Sequence, residues 1–177
     1  MGMRRGLEGI KDPLRREYLA LVLKEVKREF GDSLVSFVVY GSVARGDGDR
    51  DSDTDVLLVL DTDAGYGERC RRLGRALARV YASEEAGRLA ERGYNLFVEF
   101  YPLSREEASV FRPVYLDMVE DAVLLLDRGG FFEGVLGRVE ELLRRLGSRR
   151  IWIGEREWFW ILKPGVRLGE EVSYELE

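Results

Sequence analysis

Apolar and polar positions along the chain follow two alternating periods. Leu14, Tyr18, Val22, Val26 and Phe30 recur at helical spacing. They predict a helix opened by Asp12 as N-cap, with Pro13 at its first position, and closed by Gly31. Two short runs that follow, Leu34–Tyr40 (LVSFVVY) and 56–60 (VLLVL), are almost wholly apolar. Both predict buried strands, separated by a polar loop over 47–53. Residues 67–92 return to helical spacing through Leu73, Ala76, Leu77, Val80 and Tyr81, and Gly87 is expected to break or end this helix. NLFVEFY at 95–101 predicts a third strand ended by Pro102.

Ser104 with Glu107 forms a capping-box signature for a helix starting near Arg105. Residues 122–126 read as a short strand or as the end of that helix. Residues 131–146 read as a helix with Leu136, Val139, Leu142, Leu143 and Leu146 on one side. From Arg149 the short aromatic runs IWIG and EWFWIL predict a β-hairpin, broken by Lys163-Pro164-Gly165. Strands alternating with helices indicate the α/β (α+β) class, a mixed β-sheet flanked by helices. Residues 1–104 are expected to form the main domain, and 105–177 a C-terminal helical and β-hairpin extension packed on it.

Composition narrows the chemistry. The chain of 177 residues is 45% hydrophobic, has no histidine and has one cysteine, Cys70. Ser-His and Cys-His nucleophilic catalysis, His-ligated metals and cysteine zinc sites are therefore excluded. Acid–base or metal chemistry must run on carboxylates, which suit hard ions such as Mg2+ or Mn2+. A net charge of −5 gives no general attraction to nucleic acid. No apolar run reaches membrane-span length and no signal-peptide core is present, so a cytoplasmic location is expected. Abundant charge, no glutamine and a single asparagine, Asn95, match the composition of thermophile proteins.

Candidate chemistry concentrates in YGSVARGDGDRDSDTDVLLVL, residues 40–60, where Asp47, Asp49, Asp51, Asp53 and Asp55 alternate. A calcium EF-hand is excluded. In frames starting at Asp47, Asp49 or Asp51 the required glycine is replaced by Ser52, Thr54 or Val56, and the required glutamate by Leu58, Leu60 or Thr62. A solvated loop accounts for Asp47, Asp49 and Asp51 but not for Asp55, which opens an apolar strand. Asp53 and Asp55 are two apart, so on a strand they project to one face, and two such carboxylates call for a cation. Gly41-Ser42 ends the preceding strand at the expected start of a short helix, a suitable place for phosphate. Glu99, acidic within an apolar run, reads either as a third carboxylate of the site or as the partner of an arginine. Arg45 reads as a phosphate ligand or as a neutraliser of the aspartates. Trp152, Trp158 and Trp160 alternate in the hairpin and read as core or partner surface, or as a stacking platform for a base. The arginines of 69–79 read as a solvated face, or as a contact for RNA or an acidic partner.

Gly41-Ser42, ten residues, then Asp53-x-Asp55 resembles the G-S…D-x-D signature of the nucleotidyltransferases of the DNA polymerase β superfamily. GSVARGD…DSDTD is similar to the minimal nucleotidyltransferases of archaea and bacteria, over roughly residues 12 to 101. The resemblance implies a nucleotidyltransferase fold in which Gly41 and Ser42 bind the triphosphate of an NTP, expected to be ATP. It implies that Asp53 and Asp55 hold Mg2+ or Mn2+, that Glu99 is the third catalytic and metal carboxylate, and that Arg45 matches the family's A-R-G. The family more usually has aspartate at the Glu99 position. The implied reaction is transfer of a nucleoside monophosphate, expected to be AMP, to a hydroxyl of a protein or small molecule. The resemblance further implies an antitoxin role with a HEPN-domain partner. Size and acidity argue against a templated polymerase, and a homo-oligomer is open. The alternative reading is a non-catalytic nucleotide- or partner-binding module of the same fold.

Overall fold

The computed structural model describes residues 3–176. In chain order the elements are β1 (Arg4–Arg5), α1 (Pro13–Phe30), β2 (Leu34–Tyr40), α2 (Gly41–Arg45), β3 (Thr54–Leu60), α3 (Tyr66–Tyr81) and α4 (Glu84–Glu91). They continue with β4 (Val98–Ser104), α5 (Arg105–Ala108), α6 (Tyr115–Asp121), β5 (Val123–Asp127), α7 (Phe131–Leu146), β6 (Arg149–Trp152) and β7 (Trp158–Ile161). The first five strands form one mixed sheet in the order β1-β5-β2-β3-β4, and β6 and β7 form a separate hairpin. β5 pairs antiparallel with β2, so the sheet runs across the boundary expected at residue 104.

Helices cover both faces of the sheet. On one face Phe37, Val39, Val56, Leu58 and Leu60 pack with Tyr18, Leu19, Val22 and Val26 of α1 and Leu73, Ala76 and Val80 of α3. On the other Val35, Val38, Leu57 and Val59 pack with Tyr115 and Met118 of α6 and Phe132, Val135, Leu136 and Val139 of α7. β2 and β3 are therefore buried on both sides, which explains why they read as continuous apolar runs. Among the described residues no helix is long and apolar enough to cross a membrane.

Local signals account for most element ends. Asp12 Oδ1 accepts from the backbone N–H groups of Leu14 at 2.8 Å and Arg15 at 3.3 Å, and α1 closes at Gly31 with φ +57°. The capping box at Ser104 and Glu107 forms as read. Two expectations need correction. The long helical stretch divides at Ala82-Ser83, because Ser83 Oγ caps a new helix by accepting from Ala86 N at 3.1 Å, and Gly87 lies inside that helix. The third strand runs through Pro102, opposite Leu58, to Ser104. Proline is tolerated there because β4 is an edge strand. The arginines of α3 are more than a solvated face. Arg69 is buried against Glu107, and Arg75 and Arg79 bridge to Glu29 and Glu25 of α1.

Candidate active site

Three strands bring their ends together in one row. Tyr40 pairs with Asp55 across β2 and β3, and Asp55 pairs with Glu99 across β3 and β4. Residues in register on adjacent strands lie about 5 Å apart and project to the same face. In β3 that face is the one shared by Leu57 and Val59, toward α6 and α7. Gly41 follows Tyr40 with φ +69°, a backbone conformation suited to glycine. A Cβ there would lie 2.1 Å from Asp55 Oδ2. The glycine thus serves two purposes, turning the chain into α2 and leaving room for the carboxylate.

Burial, then the charges of Glu99 and Asp53, push the Asp55 carboxyl up to about 6, while Arg45 pulls it down. Burial, then Asp55, Glu99 and Tyr101, push the Tyr40 phenol above its ordinary value. Asp55 therefore feels both other candidate carboxylates and the candidate arginine. Asp53 precedes the strand by one residue, and its Oδ1 accepts from Asn95 Nδ2 at 2.8 Å. Asn95 also donates to Asp51 O at 3.0 Å and accepts from Phe97 N at 2.9 Å. Among the described residues no group of three carboxylates already stands as a set of metal ligands. The donors available are all carboxylate oxygens, and burial together with the charges of Glu99 and Asp53 disfavours ionised Asp55 unless a cation is present, which fits a hard divalent ion.

The rest of the aspartate run holds the loop. Ser42 O accepts from the N–H groups of Gly46, Asp47 and Gly48, at 2.9, 3.2 and 3.1 Å, closing α2 into a tight turn. Asp49 Oδ1 accepts from Asp51 N at 3.1 Å and Ser52 Oγ at 3.0 Å. Asp47 pairs with Arg45 at 3.2 Å. Beneath them lies Arg15 of α1, 2% exposed. Its guanidinium donates to Thr54 Oγ1 and to the carbonyls of Asp49, Arg50, Ser52 and Asn95, at 2.7 to 3.2 Å. Arg15 and Asn95 were missed as site residues by the sequence reading. Arg15 did carry a signal: it shares a buried helix face with Tyr18, Val22 and Glu25, where an unpaired charge is costly.

Beside Glu99 opens a cavity of about 430 Å3 lined by Tyr40, Tyr66, Tyr101, Phe111, Arg112 and Pro113, among others. Its lining reaches from Tyr40 of β2 to Glu99, Phe100 and Tyr101 of β4.

The family model described as nucleotidyltransferase domain matches residues 19–115. The chain belongs to that family. The matched region holds Gly41, Ser42, Arg45, Asp53, Asp55 and Glu99. α7 and the hairpin lie outside it, and α6 begins at its last residue. No curated protein matches the chain. A solved structure described as "Crystal structure of the toxin-antitoxin with AMP-PNP" is similar at 16% identity and a TM-score of 0.46, covering 72% of this chain and 91% of that one.

In this member of the nucleotidyltransferase family the hairpin, outside the matched region, touches the candidate site. Trp158 and Trp160 donate through Nε1 to Asp117 Oδ1 at 2.8 and 2.9 Å. Trp158 also lies against Arg45, 4.6 Å from the ring centroid, while Trp152 is half exposed.

Proposed function

We propose that this domain transfers a nucleoside monophosphate, first of all AMP from ATP, to a hydroxyl of a protein or small-molecule acceptor, releasing pyrophosphate. The observation that carries the reading is the row Tyr40–Asp55–Glu99, with Gly41 cleared for the Asp55 carboxylate. Asp53, Asp55 and Glu99 would hold Mg2+ or Mn2+. When bound, such an ion supplies neutralisation of the carboxylates and of the phosphates' charge.

The chain's own groups take the remaining roles. Ser42 and the first-turn N–H groups of α2 receive the β- and γ-phosphates, and Arg45 adds positive charge beside them. Phosphoryl transfer requires the entering and leaving oxygens roughly in line. With pyrophosphate leaving toward α2, the acceptor enters from the opposite side, which is the cavity beside Glu99. The acceptor oxygen bonds to the α-phosphorus, the bond from that phosphorus to the bridging oxygen breaks, and the acceptor proton passes to the Glu99 carboxylate. Likeness of the motif string to minimal nucleotidyltransferases makes a HEPN-domain protein the first acceptor to try, with this chain as its antitoxin.

The second reading is a non-catalytic nucleotide- or partner-binding module of the same fold. Incubation with labelled ATP, Mg2+ and candidate partner proteins separates the two. The transferase reading expects label on the acceptor, lost in Asp55→Ala. Tight ATP binding with no transfer to any partner would establish the module instead.

A further inference from the structure

Two guanidinium groups lie against Trp158, Arg45 at 4.6 Å and Arg150 at 4.1 Å from its ring centroid. Its indole N–H is fixed by Asp117 at 2.8 Å. Arg150 is itself fixed by Asp121 at 2.9 Å, and Arg45 Nη1 lies 4.0 Å from the same carboxylate. The ring is thus held by its edge N–H and by Arg150, and Arg45 lies against it. The Arg45 side chain is only 18% exposed, and its direct hydrogen bond is to Asp47 at 3.2 Å. Asp47 belongs to the loop and draws the guanidinium toward it. An arginine has many rotamers, and an aromatic face restricts them by attraction to the cation.

We infer that Trp158 is a positioning residue for Arg45, holding its guanidinium at the end of α2 between Asp47 and Asp121. The inference rests on the nucleotide reading given above for Arg45. It gives the hairpin a role in the site although the hairpin lies outside the region matched by the family model.

Two measurements test it. The ring current of an indole shifts the resonances of a guanidinium stacked on it. In isotope-labelled protein the Arg45 Nε–H signal, identified by its disappearance in Arg45→Lys, is expected well upfield of exposed arginines. Trp158→Leu should return it to their position. An unshifted wild-type signal overturns the inference.

The second measurement is a double-mutant cycle on ATP affinity by calorimetry, with melting curves for each variant. Trp158→Leu is expected to weaken ATP binding about tenfold in the wild-type background. In Arg45→Ala it is expected to change affinity by less than about twofold. Trp158→Phe, with a smaller π face, should fall between wild type and Trp158→Leu, and it carries the same cycle if the leucine variant does not fold. Equal losses in both backgrounds would mean that the hairpin acts through general stability, and the inference would fall. A wild-type protein that binds no ATP would defeat the nucleotide reading alone, because the Arg45 resonance still decides the positioning.

Discussion

At Gly41 the backbone and a carboxylate compete for one space. The positive φ and the 2.1 Å approach to Asp55 Oδ2 leave no room for a methyl group. Gly41→Ala is expected to cost about 1–3 kcal/mol in denaturant unfolding and to lower transfer about a hundredfold or more by displacing Asp55. Asp55 carries a cost of its own. Its folded pKa of about 6 stands above the ordinary 3.8, so between those values the folded protein holds a proton that the unfolded chain has lost. The contribution of Asp55 to stability is therefore fullest below pH 4 and falls as pH rises to 6. Asp55→Asn removes that charge at every pH. It is expected to abolish transfer yet to raise stability by about 1–2 kcal/mol at pH 7, since solvent screens part of the charge, with no gain below pH 4. Urea titrations at the two pH values measure it. The G-S…D-x-D spacing made these residues legible. The hold of Asn95 on Asp53 was not legible, because the contact joins positions 42 residues apart through a loop with no periodic signal.

Elements anchor the loop that carries the aspartates, and α1 does most of it through Arg15. Removing its five donated bonds leaves the carbonyls of 49, 50, 52 and 95 without their buried partner. Arg15→Met is expected to cost about 3 kcal/mol or more and to open the loop to protease cleavage near Arg50, visible in limited digestion. The helices and buried strands of the sheet were read from periodicity because burial on both faces leaves clear runs. Boundaries failed where a polar cap or an edge position overrode composition. Ser83 started a helix that glycine counting placed elsewhere, and Pro102 stayed in a strand because β4 has a neighbour on one side only. The α3 arginines misled for a related reason. Their partners Glu25 and Glu29 lie on α1, and a single helix wheel cannot show a cross-helix ion pair.

For the molecule as a whole, Asp117 ties the C-terminal hairpin to α6. One oxygen accepts from both Trp158 and Trp160, and a two-stranded hairpin has little stability of its own. Asp117→Leu leaves two indole N–H groups without their partner and is expected to cost about 2 kcal/mol. The hairpin should then become cleavable near 153–157 while the sheet remains folded, which digestion followed by mass spectrometry resolves. That the hairpin existed was legible in the sequence. That it closes on the site was not, since nothing in the aromatic run specifies Arg45 as its neighbour.

Both ends of the main sheet are poor templates for another strand. β1 is two residues long, and β4 has Pro102, with no N–H to offer, inside it. Edge-to-edge association, the usual route to runaway sheet growth, is blunted at both sides. The main sheet therefore offers a second copy or a partner protein little free edge to pair with, and its helical faces, its cavity and its hairpin remain the surfaces open to contact.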